Sequence, residues 1–330
     1  LQLAVLNPGG NDREQSFSQF VGAPDDPAPH PPVNYHAYAA CTGGAFYRDP
    51  GRIPPAQRAV LLVLRRDLKH CLEALRRLKG EGRQVAVSLK ESGLHQVAQL
   101  LGDAGNLGLF REICGLADGC LASTPELTGI YRAAGGRRVS FVPTPYPLES
   151  AQWNFALPPA DRSGVFVGTR EWDIPSRNHA AALLLAASLD APVTVINEDG
   201  RSGRKRIDAA GIAKVQVIEG RLPYPEYLRL IARHRIVLQL DRSAVPGQVA
   251  GDALLCGVPC VGGDGAIERV AFPECCGVGR TGEELREIAA RLLREEAACA
   301  AAAARSKQIA LDRLSFRAVS GELAGYYSEL

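Results

Sequence analysis

The sequence predicts an α/β protein of two domains, each a parallel sheet covered by helices on both faces. Three observations predict it. Short runs of branched apolar residues alternate with amphipathic stretches along most of the chain, as strand–helix–strand units require. A length of 330 residues suffices for two hydrophobic cores. Between the two alternating halves stands Pro143-Thr144-Pro145-Tyr146-Pro147, which interrupts regular structure and opens a linker. The expected division is a first domain over 1–145, a linker over 146–163 and a second domain over 164–310. Residues 311–330 form a C-terminal helix expected to pack back on the first domain.

Apolar residues make up 46% of the chain and charged residues 22%, an ordinary composition for a water-exposed globular fold. A net charge of +2 gives no electrostatic footprint for nucleic acid. No apolar run is long enough to span a bilayer and no secretory signal pattern is present, so a cytoplasmic location is expected. Leu1 is not an initiator residue, and a few terminal residues are expected to precede it. The nine cysteines are an odd number without paired zinc-site spacing; Cys256 and Cys260 lack a second pair. Reduced, mostly buried thiols and no metal are expected.

Residues 1–6 read as an opening strand running into Asn7-Pro8-Gly9-Gly10, which is either a plain turn or a close approach to a ligand. Pro24, Pro27, Pro29, Pro31 and Pro32 exclude helix and central strand, and 34–48 carries no clear period. From residue 59 the pattern is regular: a strand over 59–64, then a helix over 66–79 with Leu68, Leu72, Leu75 and Leu78 on its inner face. Its other face bears Arg65, Arg66, Lys69, His70, Arg76, Arg77 and Lys79. Such a face is either solvated or meets anionic lipid, a peripheral contact through 65–79 at the inner membrane face. Strands follow over 85–89, 119–122 and 139–142, with helices over 94–101 and 107–116. Ser123-Thr124-Pro125-Glu126 starts another helix. In the second half strands are expected over 165–167, 193–196, 215–218, 236–240 and 259–261. One helix is expected over 283–306 and a last one over 316–327.

The stretch 235–273 concentrates the chemistry. Two of its strands each deliver the backbone to a glycine-containing helix start, at Gly247-Gln248-Val249 and at Gly263-x-Gly265. Free N–H groups and the helix dipole make such starts natural hosts for phosphate, although a lone glycine there also serves as an ordinary turn. Glu268 reads as an acid favouring the second helix's dipole. Arg170 and Arg177 follow the glycine-ended strand at Gly168, and two guanidinium groups there can hold a diphosphate through charge-assisted bonds; the alternative is a solvated loop. His179 reads as helix surface. Lys90, Glu91 and His95 follow the end of a first-domain strand, where a carboxylate or imidazole can take a hydroxyl proton or merely face solvent.

Three segments of the second half resemble the nucleotide-binding domain of GT-B glycosyltransferases, family 4 above all: Val165-Phe166-Val167-Gly168 with Arg177-Asn178, then 192–197, then 243–261. Ala117-Asp118-Gly119-Cys120-Leu121-Ala122-Ser123 agrees in general pattern. The resemblance implies two Rossmann-like domains facing a cleft and a retaining, metal-independent transfer of a hexosyl or related group. The sugar would pass from a nucleotide-sugar donor to a glycan, lipid-linked or protein hydroxyl acceptor, with domain closure excluding water. It implies donor diphosphate on Arg177, Arg170 and the Gly247 helix start, donor ribose on Asp252, and catalytic roles for Arg177, Glu91 and His95. Gly168, Gln248 and Val249 join the donor site, and by topology the base lies on the loop around Arg221 and Leu222. The family's motif carries two glutamates eight positions apart. Here Asp252 stands at the second and Ala244 at the first, so Asp241 or Ser243 would have to supply the missing polar contact. No cofactor is implied. A non-catalytic nucleotide-sugar-binding relative and a sugar-nucleotide epimerase of the same architecture are the alternatives.

Overall fold

A computed structural model describes residues 1–17, 24, 30–168, 172–212 and 214–330. The chain forms two units, Leu1–Glu149 with Arg313–Leu330, and Ser150–Asp312. In the first the elements run β1 (Ala4–Leu6), β2 (Gln15–Ser16), α1 (Asn34–Cys41), β3 (Ala45–Tyr47), β4 (Ala59–Leu64), α2 (Leu68–Gly80), β5 (Gln84–Leu89), α3 (Leu94–Leu101), α4 (Ala104–Leu116), β6 (Gly119–Ala122), α5 (Pro125–Ala133) and β7 (Val139–Phe141). Among the described residues its sheet has the order β2-β3-β1-β4-β5-β6-β7, parallel except for the edge strand β2.

Strand alternation divides the core of this unit into two. Leu6, Val60, Leu62, Val85 and Val87 face α2, α4 and α5, while Val5, Leu61, Val63, Ala86 and Leu121 face the other side. That second face is covered by α1 and by residues far along the chain, Val319, Leu323, Tyr326 and Tyr327. The region 34–48, which has no clear period, thus holds α1 and β3. Six residues of α1 are buried, so its sequence lacks the polar stripe that marks a surface helix.

The second unit runs β8 (Val165–Val167), α6 (His179–Ala187), β9 (Val193–Asn197), α7 (Gly200–Ala209), β10 (Val215–Glu219), α8 (Tyr224–Ala232), β11 (Ile236–Gln239), α9 (Gln248–Leu255), β12 (Cys260–Gly262), α10 (Ala266–Ala271), α11 (Gly282–Arg294) and α12 (Glu296–Arg313). Its sheet is wholly parallel, in the order β10-β9-β8-β11-β12. The last helix, α13 (Phe316–Ser328), is the one that covers the first unit's sheet.

Three expectations are corrected. The tail over 283–306 is two helices: Thr281 and Glu284 form a capping box that starts α11, and Glu295 in extended conformation ends it before α12. The proline run at 143–147 does not break all regular structure, because Tyr146 forms a parallel bridge with Ser315. From Ser150 the linker sequence is seated on the second unit: Trp153 is buried, Phe155 N–H donates to the Leu255 carbonyl at 2.9 Å, and Arg162 donates to the carbonyls of Leu157 and Gly257. All nine thiols are free and eight are buried. No described helix is long and apolar enough to cross a membrane.

Candidate functional site

In the second unit the strand order reverses between β8 and β11, which are neighbours in space although β9 and β10 separate them in sequence. Connections leave these two strands in opposite directions, opening a crevice beyond their carboxyl ends, where ligands bind in open α/β sheets. Gly168 ends β8 there. A Cβ on it would lie 2.4 Å from Val249 Cγ1, so the missing side chain is what admits the first turn of α9 against the strand. Gly168→Ala should therefore lower the unfolding free energy by about 1–3 kcal/mol, seen as a lower denaturant midpoint with unchanged m.

Two hydrogen bonds clamp the loop after β8 to the exit of β11. Asn178, in the left-handed region at φ +53°, donates through Nδ2 to the Leu240 carbonyl at 2.9 Å. Arg242 N–H donates to the Ser176 carbonyl at 3.2 Å. Arg177 lies between these two anchors, half-buried, at the end of a short 3-10 turn (Pro175–Arg177). The structure therefore brings Arg177, Gly168, Gln248 and Val249 to one switch point. Arg170 lies outside the described residues. His179 is buried against the Trp172 ring, 5.4 Å between centroids, rather than on the helix surface.

The two glycine-containing helix starts differ. No side chain caps α9, whose Ncap is Gly247 at φ +92°. At α10 the first N–H groups are already taken, Ala266 donating to the Val245 carbonyl at 2.9 Å and Ile267 to that of Pro246 at 3.2 Å. The same backbone that leads into α9 thus closes α10, whereas no side chain caps the Gly247 start.

Between these starts sits Glu268, fully buried rather than a surface acid tuning a dipole. Gln239 Nε2 donates to its Oε1, and its Oε2 has no hydrogen-bond partner among the described residues. Burial pushes this carboxyl up to about 8, with Asp241 and Asp264 adding to the shift. A Cβ at Gly247 would lie 2.1 Å from Oε2 and one at Gly265 2.4 Å, so both glycines make room for the acid.

The substitutes expected for the acid missing at Ala244 are spent locally. Asp241 Oδ1 accepts from Ser243 N–H at 2.8 Å and from Ser243 Oγ at 2.6 Å, and both residues are buried. Ala244 itself holds φ +48°, a region alanine seldom adopts, and its N–H donates to Asp264 Oδ1 at 2.8 Å. A carboxylate therefore does stand at Ala244, supplied from β12's exit. Burial raises the Asp264 pKa, Asp241 raises it further, and the Ala244 bond opposes both.

Asp252 is buried in α9, and Tyr224 Oη donates to its Oδ1 at 2.5 Å. Tyr224 starts α8, so this bond ties the loop holding exposed Arg221 and half-buried Leu222 to the helix that begins at Gly247. Trp153 stands 6.1 Å from the Tyr224 ring. Sequence reasoning missed Tyr224, Gln239 and Asp264. The one available signal was Glu268 among three glycines, which reads as a turn until the carboxyl is seen inside it.

In the first unit Gly10 makes room for Asn7: a Cβ would lie 2.3 Å from Asn7 Nδ2. Asn7 Nδ2 donates to Asp12 Oδ2 at 2.7 Å and Lys90 pairs with the same oxygen. Burial raises the Asp12 pKa, but the Lys90 bond and charge outweigh it and hold the carboxyl low. Exposed Glu91 follows β5, and His95 lies in the first turn of α3. On α2 the expected lipid-facing charges are partly neutralised, Arg76 by Glu112, Arg77 by Glu81 and Lys79 by Asp118. Among the described residues no group of three or more His, Cys, Asp or Glu could hold a metal ion.

No protein-family model matches the chain, and no curated protein aligns with it significantly. Solved structures do. HepE of Anabaena, in complex with UDP and glucose, is 17% identical with a TM-score of 0.61, over 82% of this chain and 78% of its own. A trehalose-6-phosphate synthase studied for glycosyl transfer with retention is 10% identical with a TM-score of 0.63, over 82% of this chain and 73% of its own. A point mutant of S. aureus TarM, in complex with fondaparinux, α-GlcNAc-glycerol and UDP, is 8% identical with a TM-score of 0.61, over 81% of this chain and 55% of its own. The chain has the GT-B fold, two Rossmann-like α/β domains.

Proposed function

We propose that this protein is a glycosyltransferase that moves a sugar from a nucleoside diphosphate sugar to a hydroxyl acceptor. One observation carries the reading: the uncapped start of α9 at the β8/β11 switch point, with the loop of Arg177 clamped beside it. A helix dipole and a guanidinium at one place favour a diphosphate and stabilise it as it departs, so the reaction needs no metal for that charge. Asp252 takes the ribose hydroxyls, oriented by Tyr224, and the base lies on the Arg221–Leu222 loop. Asp264, held on the Ala244 amide, takes donor-sugar hydroxyls in place of the acid absent at 244. UDP in the HepE and TarM complexes favours uridine as the base, and the synthase studied for retention favours a retained anomeric configuration. Glu91 and His95 act on the acceptor side, in glycan biosynthesis in the cytoplasm. A peripheral membrane contact would rest on exposed Arg66, just before α2, and exposed Lys69 in its first turn.

The test is incubation with a panel of nucleotide sugars while free nucleoside diphosphate is followed. Release that depends on an added acceptor supports transfer. Tight UDP binding with no release or transfer from any donor would favour the non-catalytic relative, the reading that the Ala244 methyl supports. Tyr224→Phe should weaken UDP binding by about fivefold, the loss of roughly 1 kcal/mol from one hydrogen bond. Unchanged affinity in calorimetry would remove Asp252 and Tyr224 from the nucleotide site.

A further inference from the structure

The first unit holds a pocket of about 400 Å³ at the carboxyl ends of β4 and β5. Leu64 and Leu89, the buried last residues of those strands, supply its apolar part; Arg65 and Arg66 leave β4, and Gln96 and Gln99 stand on α3. Glu91 also lines it. Arg65 is set in place from the other side. A Cβ at Gly10 would lie 3.0 Å from its terminal nitrogen, and its charge helps hold the Asp12 carboxyl low.

The chemistry of this wall is specific in class. Two consecutive guanidinium groups against one carboxylate favour an oxyanion, which each can grip with more than one N–H. Glutamine amides both donate and accept, as hydroxyl groups require. Leucine side chains suit the C–H face of a sugar ring, and the volume lies in the range of small-molecule sites. The neighbouring strand ends add a further sign: Asn7 Oδ1 after β1, Ser92 Oγ after β5 and Thr124 Oγ1 after β6 are buried with no hydrogen-bond partner among the described residues. Side-chain oxygens left so are uncommon, and three on one sheet edge indicate an edge shaped for a polar guest.

We infer that this pocket binds a sugar or sugar-like polyol carrying a phosphate or carboxylate group. Arg65 and Arg66 take the anion, and Gln96, Gln99 and Glu91 take hydroxyl groups. That the guest is the acceptor rests on the transferase reading; that it binds does not, because the pocket belongs wholly to the first unit.

Calorimetric titration of the full chain without nucleotide tests it, using glucose 6-phosphate, mannose 6-phosphate, glucuronate, galacturonate, glucose and inorganic phosphate as probes. At least one charged sugar should bind ten times more tightly than both glucose and inorganic phosphate. A preference for the sugar phosphates identifies a phosphate guest, and a preference for the uronates a carboxylate guest. The exposed Arg66→Ala variant should lose at least fivefold of that affinity while UDP affinity stays unchanged, and Gln99→Ala should weaken charged sugar without touching inorganic phosphate. Charged sugars binding no better than glucose, inorganic phosphate matching every sugar, or an Arg66→Ala variant equal to wild type would each overturn the inference. Charged-sugar binding that persists in a protein with no affinity for any nucleotide would sink the transferase reading alone.

Discussion

Arg177→Ala is expected to slow sugar transfer by about 10²–10³-fold, the usual loss when one preorganised group opposite a developing negative charge is removed. The expectation follows from placement. Arg177 is held between Ser176 and Asn178, each hydrogen-bonded to the exit of β11, so its position is set by the sheet and not by a free loop. Arg177→Lys should recover only part of the rate, because an ammonium offers a point charge where a guanidinium offers a planar fork. A departing diphosphate carries more charge on its bridging oxygen than the bound donor does, so kcat should fall more than donor affinity. Steady-state kinetics with the nucleotide sugar that proves active, alongside UDP calorimetry, separates the two. A variant that binds UDP and turns over like wild type removes Arg177 from the site.

Glu268→Gln should change the pH dependence of stability without disturbing the fold. The wild-type carboxyl is raised from 4.5 to about 8 by burial, so over this interval the unfolded chain is ionised while the folded one keeps its proton. Stability from this group is fully present below the unfolded value and is lost as pH rises through the folded one. From pH 5 to 8 the loss amounts to a few kcal/mol, on the order of 1.4 kcal/mol for each unit. Glutamine keeps the shape and never ionises, so the variant's unfolding free energy should stay level across the same window and exceed that of wild type at pH 8 to 9. Denaturant titrations at pH 5, 6, 7, 8 and 9 give the comparison. Parallel pH profiles for the two proteins would show that the carboxyl is not protonated in the fold. Since Glu268 packs against Gly247, Gly263 and Gly265, its ionisation above pH 8 should also loosen the start of α9 and weaken UDP binding there, an effect the glutamine variant should lack.

The pattern of alternation was enough for the fold class, because strands and helices announce themselves over a few residues. Leu61 and Val63 face one side of β4 and Leu62 and Leu64 the other, and a run of six buried residues can hardly be anything but a central strand. Where burial is complete, that signal fails. Helix α1, with buried residues all round, looks like neither period, and β3 beside it is three residues long.

The site was legible to the extent that its chemistry is carried by consecutive residues. Gly168, Arg177, Gly247 and Asp252 were expected from the glycine-ended strands and the family resemblance, and the structure sets Gly168 against Val249 of α9, with the Arg177 loop bonded to the exit of β11 and Asp252 further along α9. Its remaining parts come from contacts between distant segments. Tyr224 meets Asp252 across 28 positions and Asp264 meets Ala244 across 20, distances at which no local pattern records a partner.

By itself, then, the sequence determined two α/β domains and the residues at which a helix could begin beside phosphate, since dihedral preference, capping and periodicity act between neighbours along the chain. The tertiary structure decided which helix start is closed. Carbonyls of Val245 and Pro246 occupy the N–H groups of α10, and the left-handed turn at Ala244 that aims them is pinned by Asp264. Hydrogen-bond satisfaction is settled only when distant backbone meets, and here it leaves the first N–H groups of α10 already bonded, which no local pattern at Gly265 records.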